Sequence, residues 1–179
     1  MDFNYSQSTN QPVRIESLGF GSIVTPNTME KMRQIILDSL RNYQVRLWAE
    51  RLIDFAPDDF EKAENIYNFV VNHCRYVQDI VGLELLKTPI VSLQQLEVGG
   101  SPALDCDDAT ILIGSLIMAI GIPFALRAVA FNEEYSHVYG LVYAKDRGWI
   151  PADFVIGKKG GYMGEEPEGI TRIKDMEIV

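Results

Sequence analysis

Cysteine, histidine and basic residues are all scarce in this chain, and each scarcity excludes something. Cys74 and Cys106 are too few for a disulfide framework, so each is read as a free thiol. Lys and Arg number 16 against 25 Asp and Glu, giving a net charge of −9 at pH 7. Nucleic acid and anionic membrane surfaces are therefore disfavoured as partners, because both need clustered Lys and Arg. Long apolar runs are missing as well. The longest, Ile111 to Ala125, is interrupted by Gly114, Ser115, Gly121 and Pro123 and is too short to span a bilayer. Met1 to Gln11 is polar, without the basic-then-apolar order of a secretory leader, so a soluble, cytoplasmic protein in a reducing compartment is expected. No repeat, low-complexity tract or domain linker is visible.

What is present suits a globular protein. Apolar residues make up 47% and charged residues 23% of 179 positions, enough to bury one core without covalent staples. Residues 1–27 read as a loose polar arm followed by an extended segment, Val13 to Val24, and residues 28–179 as a single domain. Thr28 is the expected N-cap of a helical pattern from Met29 to about Asp54, either one long helix or two joined ones. Pro57-Asp58-Asp59 then starts another helix, with Asp58 and Glu61 spaced as a capping box. Its apolar stripe runs Phe60, Ala63, Ile66, Tyr67, Val70, Val71 and Cys74, so Cys74 is expected to be a buried core thiol. His73 lies off that stripe and reads as a surface residue near a helix C-terminus. Arg75 to Gln95 is less regular, with Gly82 and Pro89 as punctuation.

Beyond the loop Gly99-Gly100-Ser101-Pro102 comes Asp105-Cys106-Asp107-Asp108, and the run that follows, Ala109 to Ile120, is apolar on nearly every side, the mark of a helix buried all round. Gly121-Ile122-Pro123 stops it. The periodicity then changes. Phe124 to Phe131, His137 to Tyr143 and Trp149 to Phe154 are short β-branched and aromatic runs separated by turns, read as successive antiparallel strands. Helices first and strands later indicate an α+β domain, with N-terminal helices and a buried central helix packed on an antiparallel sheet.

Cys106 stands where a loop enters that central helix. A thiol there faces free N–H groups and the positive end of the helix dipole, which favour thiolate and can stabilise an oxyanion. His137 opens a strand, with Ser136 and Val138 on the opposite side from it, and is the candidate base. Asp153, at the end of the next strand, is the candidate partner that orients the imidazole. The acidic residues Asp105, Asp107 and Asp108 read first as N-terminal capping and complement to the helix dipole. A calcium site is the lesser alternative, since several close carboxylates suit a hard cation. Such carboxylates also oppose thiolate formation.

The blocks Leu104-Asp105-Cys106-Asp107-Asp108-Ala109, Ser136-His137-Val138-Tyr139 and Gly148-Trp149-Ile150-Pro151-Ala152-Asp153, in this order across about residues 76–155, resemble the transglutaminase-like superfamily. Its bacterial and bacteriophage branch is nearest. The resemblance implies the papain-like fold, a Cys106–His137–Asp153 triad and acyl-transfer chemistry on a protein or peptide substrate, with no organic cofactor. Hydrolysis as a peptidase or amidase is the favoured outcome, and amine transfer, as in a protein cross-linker, the alternative. The rival from another class is a structural or interaction module that keeps the fold with little turnover, and a metal-binding domain using Cys106 and the aspartates comes behind it. The resemblance also implies a second oxyanion donor from upstream, for which Tyr76 stands ahead of Gln94 and Gln95. Leu104 replaces a glycine frequent in that branch and is expected to narrow access to the thiol. The segment Gly157 to Val179 is expected either to form an edge strand or to cover the cleft.

Overall fold

The structure, a computed structural model, describes residues 26–78 and 85–178. The polar arm, the extended segment Val13 to Val24 and Gly82 lie outside the described residues. The first long helical pattern resolves into two helices, α1 (Pro26–Ser39) and α2 (Tyr43–Leu52). The break falls where Asn42 caps α2, its side chain accepting from Gln44 N at 2.9 Å. Helix α1 begins before the expected cap. Pro26 takes the first turn, where its fixed φ costs nothing, and Thr28 is fully buried inside the helix. Helix α3 (Asp59–His73) starts as expected, with Asp58 Oδ1 accepting from Glu61 N at 2.8 Å. Its stripe buries Ala63, Ile66, Tyr67 and Val70, and Cys74 is buried just past its end. His73 stacks on Phe69 at the exposed helix end.

The irregular stretch after α3 holds two elements that periodicity missed. A short strand β1 (Arg75–Tyr76) pairs in parallel with β2 (Ala103–Leu104), and between them lies helix α4 (Pro89–Glu97). Pro89 is not a helix breaker here but occupies the first turn of α4. Next comes the central helix α5 (Cys106–Ala119), buried continuously from Asp107 to Ile117. It touches α1, α2, α3 and α4 as well as the sheet. Strands β3 (Phe124–Ala130), β4 (Tyr135–Ala144), β5 (Gly148–Ala152) and β6 (Arg172–Glu177) form an antiparallel sheet in the order β5-β4-β3-β6. Phe124, Leu126, Ala128, Val138 and Val142 turn one face of this sheet into the main core, which runs from Met29 to Ile178. Ala125, Val129, Tyr139 and Leu141 form a smaller cluster on the alternate positions. The fold is thus α+β, as expected.

Three departures bear on the site. Strand β5 ends at Ala152, and Asp153 caps a short helix, α6 (Phe154–Lys158), that the strand reading had absorbed. A bulge pairs Val129 with His137 but Ala130 with Tyr135, so Ser136 is an extra residue on β4. The C-terminal segment forms the expected edge strand, β6 pairing with β3, and its earlier part borders the cleft described below. Among the described residues, no helix is long and apolar enough to cross a membrane.

Glycine sets the seat of α5 on the sheet. The Phe124 ring lies between Gly114 of α5 and Gly140 of β4. A Cβ on Gly114 would come within 2.5 Å of that ring and one on Gly140 within 2.1 Å. Replacing Gly140 with Ala is therefore expected to cost about 1–3 kcal/mol by overpacking. Adding Phe124→Leu should make the double variant less unstable than the sum of the two single changes, as read by urea unfolding.

Candidate active site

Asp153 is almost fully buried and satisfied from several directions. Its Oδ1 accepts from Val155 N at 2.8 Å and Ile156 N at 3.3 Å, capping α6. Its Oδ2 lies 2.7 Å from Nε2 of His137. Its backbone carbonyl accepts from the Tyr67 hydroxyl at 2.8 Å, tying the loop to α3. Burial raises the Tyr67 phenol far above its ordinary pKa, with the Asp153 charge adding to the effect, so the phenol keeps the proton it donates. Tyr67 had read only as a core residue. The two partners stand 86 positions apart, which leaves no local signal for this contact.

His137 and Asp153 border a cleft of about 740 Å³, together with Tyr76, Phe131 and Ser136. Simple alternation along β4 would have put Ser136 on the far side from His137. The bulge brings both to the cleft, while Val138 stays in the core. A further stretch of wall comes from Lys159, Gly160, Gly161, Glu165, Pro167 and Glu168. Tyr76, on β1, is half-exposed at this cleft, and burial followed by the nearby Cys106 and Asp105 raises its phenol pKa. Gln94 and Gln95 sit elsewhere. Both are exposed on α4, and Gln94 borders a separate groove with Leu47 and Trp48 of α2. Leu104 does not narrow the cleft either, because its side chain is fully buried in the core.

Cys106 is the first residue of α5, capped by Asp105, whose side chain accepts from Asp108 N at 2.9 Å. The partly buried Cys106 thiol donates to Asp107 Oδ1 at 3.1 Å. Among the described residues, no hydrogen bond joins the thiol to His137. Burial pushes the thiol well above its ordinary pKa. The charges of Asp107 and Asp105 and the Asp107 hydrogen bond push the same way, and only the backbone of Val138 opposes them. That last contact sets the sulfur against β4 at the residue following His137. The helix terminus alone would favour thiolate, but burial and the carboxylates outweigh it. Cys74, by comparison, is pushed up to about 11 by burial.

The third acid has a different task. Asp108 is buried and accepts from the Lys87 backbone N–H at 2.7 Å and from the Lys87 ammonium. Lys87 also donates to Ala103 O at 3.1 Å, linking α5 to β2. Asp105, Asp107 and Asp108 thus serve three separate contacts. Among the described residues, no group of three or more His, Cys, Asp or Glu side chains is arranged to hold a metal ion.

The model of the transglutaminase-like superfamily matches residues 46–154. The sequence matches no curated protein. Among solved structures, the fold is similar to that of a "putative protease" from Parabacteroides distasonis, at 14% identity and a TM-score of 0.55. That match covers 70% of this chain and 26% of the other. It is also similar to a "putative cysteine protease" from Cytophaga hutchinsonii, at 13% identity and a TM-score of 0.51, over 80% of this chain and 56% of the other. The chain therefore spans less than two thirds of either protein, and at these identities the likeness is one of fold.

The thiol's bond to Asp107 is open to a direct test. Asp107→Asn removes a negative charge and weakens an acceptor, so the thiol pKa should fall. The pH profile of Cys106 alkylation by iodoacetamide should move to lower pH, while that of Cys74 stays in place. An unmoved Cys106 profile would mean that Asp107 does not restrain the thiol.

Proposed function

The chain belongs to the transglutaminase-like superfamily, and from that membership we propose that it is an acyl-transfer enzyme with Cys106 as nucleophile, acting on an amide bond of a protein or peptide. The observation that carries this reading is the 2.7 Å contact between His137 Nε2 and the buried Asp153 carboxylate, at a cleft open to a substrate. With the proton on Nε2 directed to Asp153, Nδ1 keeps its lone pair for the thiol.

In the proposed reaction the thiol leaves Asp107 and gives its proton to His137 Nδ1. The thiolate attacks the amide carbonyl carbon, and negative charge moves onto the carbonyl oxygen. The Cys106 N–H at the start of α5 can receive that charge, with the Tyr76 hydroxyl as a second donor. The C–N bond breaks as imidazolium protonates the leaving amine, giving a thioester on Cys106. Water, deprotonated by His137, then attacks the thioester and restores the thiol. Formation of imidazolium beside the sulfur offsets the burial and carboxylate charge that disfavour thiolate at rest. Hydrolysis is favoured because water is the abundant acceptor, and a lysine amine in its place makes the product a cross-link. The steps draw on no bound cofactor, and calcium at the aspartates is the alternative to be tested by titration.

The thiol's engagement with Asp107 favours a second reading, a binding module with little turnover that keeps the same fold. A peptidyl chloromethyl ketone separates the two. The enzyme reading expects its covalent attachment at Cys106, seen by intact mass and peptide mapping. His137→Ala should slow that attachment roughly 100-fold or more. Asp153→Asn should also slow it while retaining the α6 cap, whereas Asp153→Ala should in addition lose about 1 kcal/mol of stability. Equal, slow modification of Cys106 and Cys74 would sink the enzyme reading.

A further inference from the structure

Arg127 lies on β3, outside the cleft, yet it is tied to the cleft wall. Glu165 and Pro167 of that wall face the cleft, and Glu166 between them turns away toward the sheet. Its Oε1 accepts from Arg127 Nη1 at 2.6 Å and from the Tyr139 hydroxyl at 3.0 Å. Arg127 also donates to Asp175 twice, from Nε at 2.8 Å and from Nη2 at 2.7 Å. Tyr139, Arg127 and Asp175 form one row across three strands, since Tyr139 pairs with Arg127 and Arg127 with Asp175. The planar guanidinium is thus aimed by a bidentate carboxylate on one side, leaving its remaining edge for Glu166. The Arg127 side chain is only 19% exposed, which shields these pairs better than ordinary surface ion pairs. Main-chain bonds pin the wall at Gly164, which donates to Pro151 O, and at Thr171, which donates to Ala130 O. Glu166 is the ionic tie between those two pins.

Resting on the acyl-transfer reading above, we propose that Arg127 is a positioning residue for the substrate. Through Glu166 it holds the wall that includes Glu165, Pro167 and Glu168 against the bound peptide, without touching the peptide itself. Cys106, His137 and Asp153 stand on α5, β4 and the start of α6; of these β4 meets the tie, through the Tyr139 hydroxyl, while its pairing with β3 and β5 is made by the main chain. Loosening it should weaken substrate binding and leave the bond-forming step unchanged.

The test compares wild type with Glu166→Ala and Glu166→Gln, both at an exposed position, so that the sheet pair of Arg127 and Asp175 stays intact. Amide hydrogen exchange over residues 162–170 should rise about tenfold or more in Glu166→Ala, with β3 and β4 unchanged. Inactivation by the peptidyl chloromethyl ketone should show KI raised about threefold or more at unchanged maximal rate. Glu166→Gln, which still accepts both hydrogen bonds, should fall between. Unchanged exchange overturns the tie, and faster exchange with unchanged KI overturns the positioning role. A wild type that resists the probe brings down the enzyme reading and the positioning role with it, while exchange separately reports whether Glu166 holds the wall.

Discussion

The carboxylate of Asp153 commits each of its oxygens to a different part of the fold. One caps the first turn of α6, and the other meets His137 on β4, while the backbone carbonyl of the same residue receives Tyr67 from α3. Helix, strand and loop thus meet at one nearly inaccessible side chain. Burial of an unsatisfied carboxylate would be costly, and here its bonds are supplied by groups that must be in register for the domain to close. The orientation of the imidazole, the start of α6 and the direction of the wall that follows all depend on this residue.

A second constraint acts at the start of α5, where two electrostatic tendencies oppose each other. The start of α5 supplies oriented N–H groups and a positive dipole end, which favour a thiolate at Cys106. Burial and the adjacent Asp107 and Asp105 favour the neutral thiol, and they prevail. Asp105 and its neighbour Asp108 are also tied into the fold. Asp105 caps the helix, and Asp108 holds Lys87 and through it the Ala103 carbonyl. Relieving the charge at the thiol by deleting Asp105 would therefore loosen the helix start, whereas in the proposed reaction an imidazolium at His137 offsets it without that loss.

Elements whose patterning is set by local periodicity were legible in the chain. The stripe of α3, the all-round apolar α5 with its Gly121-Ile122-Pro123 stop, and the alternating strand runs each carry their own signal. Misreadings fell where one residue has two uses. Proline marks both breaks and first turns, so Pro89 looked like punctuation although it opens α4, and Pro26 opens α1 ahead of Thr28. Asp153 reads as a turn residue or as a cap, and only the direction of the following chain separates these. The bulge at Ser136 is invisible to alternation because it comes from pairing with β3.

By itself the sequence determined the α+β composition, the buried central helix and the candidates Cys106 and His137, because helix starts, strand periods and a two-histidine supply are local or countable properties, while Asp153 rested more on the family resemblance than on its own spacing. Tertiary structure alone decided that Tyr76 and Ser136 reach the cleft while Gln94, Gln95 and Leu104 do not, and that Arg127 pairs with Glu166 beside it. Those outcomes depend on strand order, on a one-residue bulge and on contacts between residues dozens of positions apart. Free energy there is set by which groups exclude water from one another, and no window along the chain contains both partners.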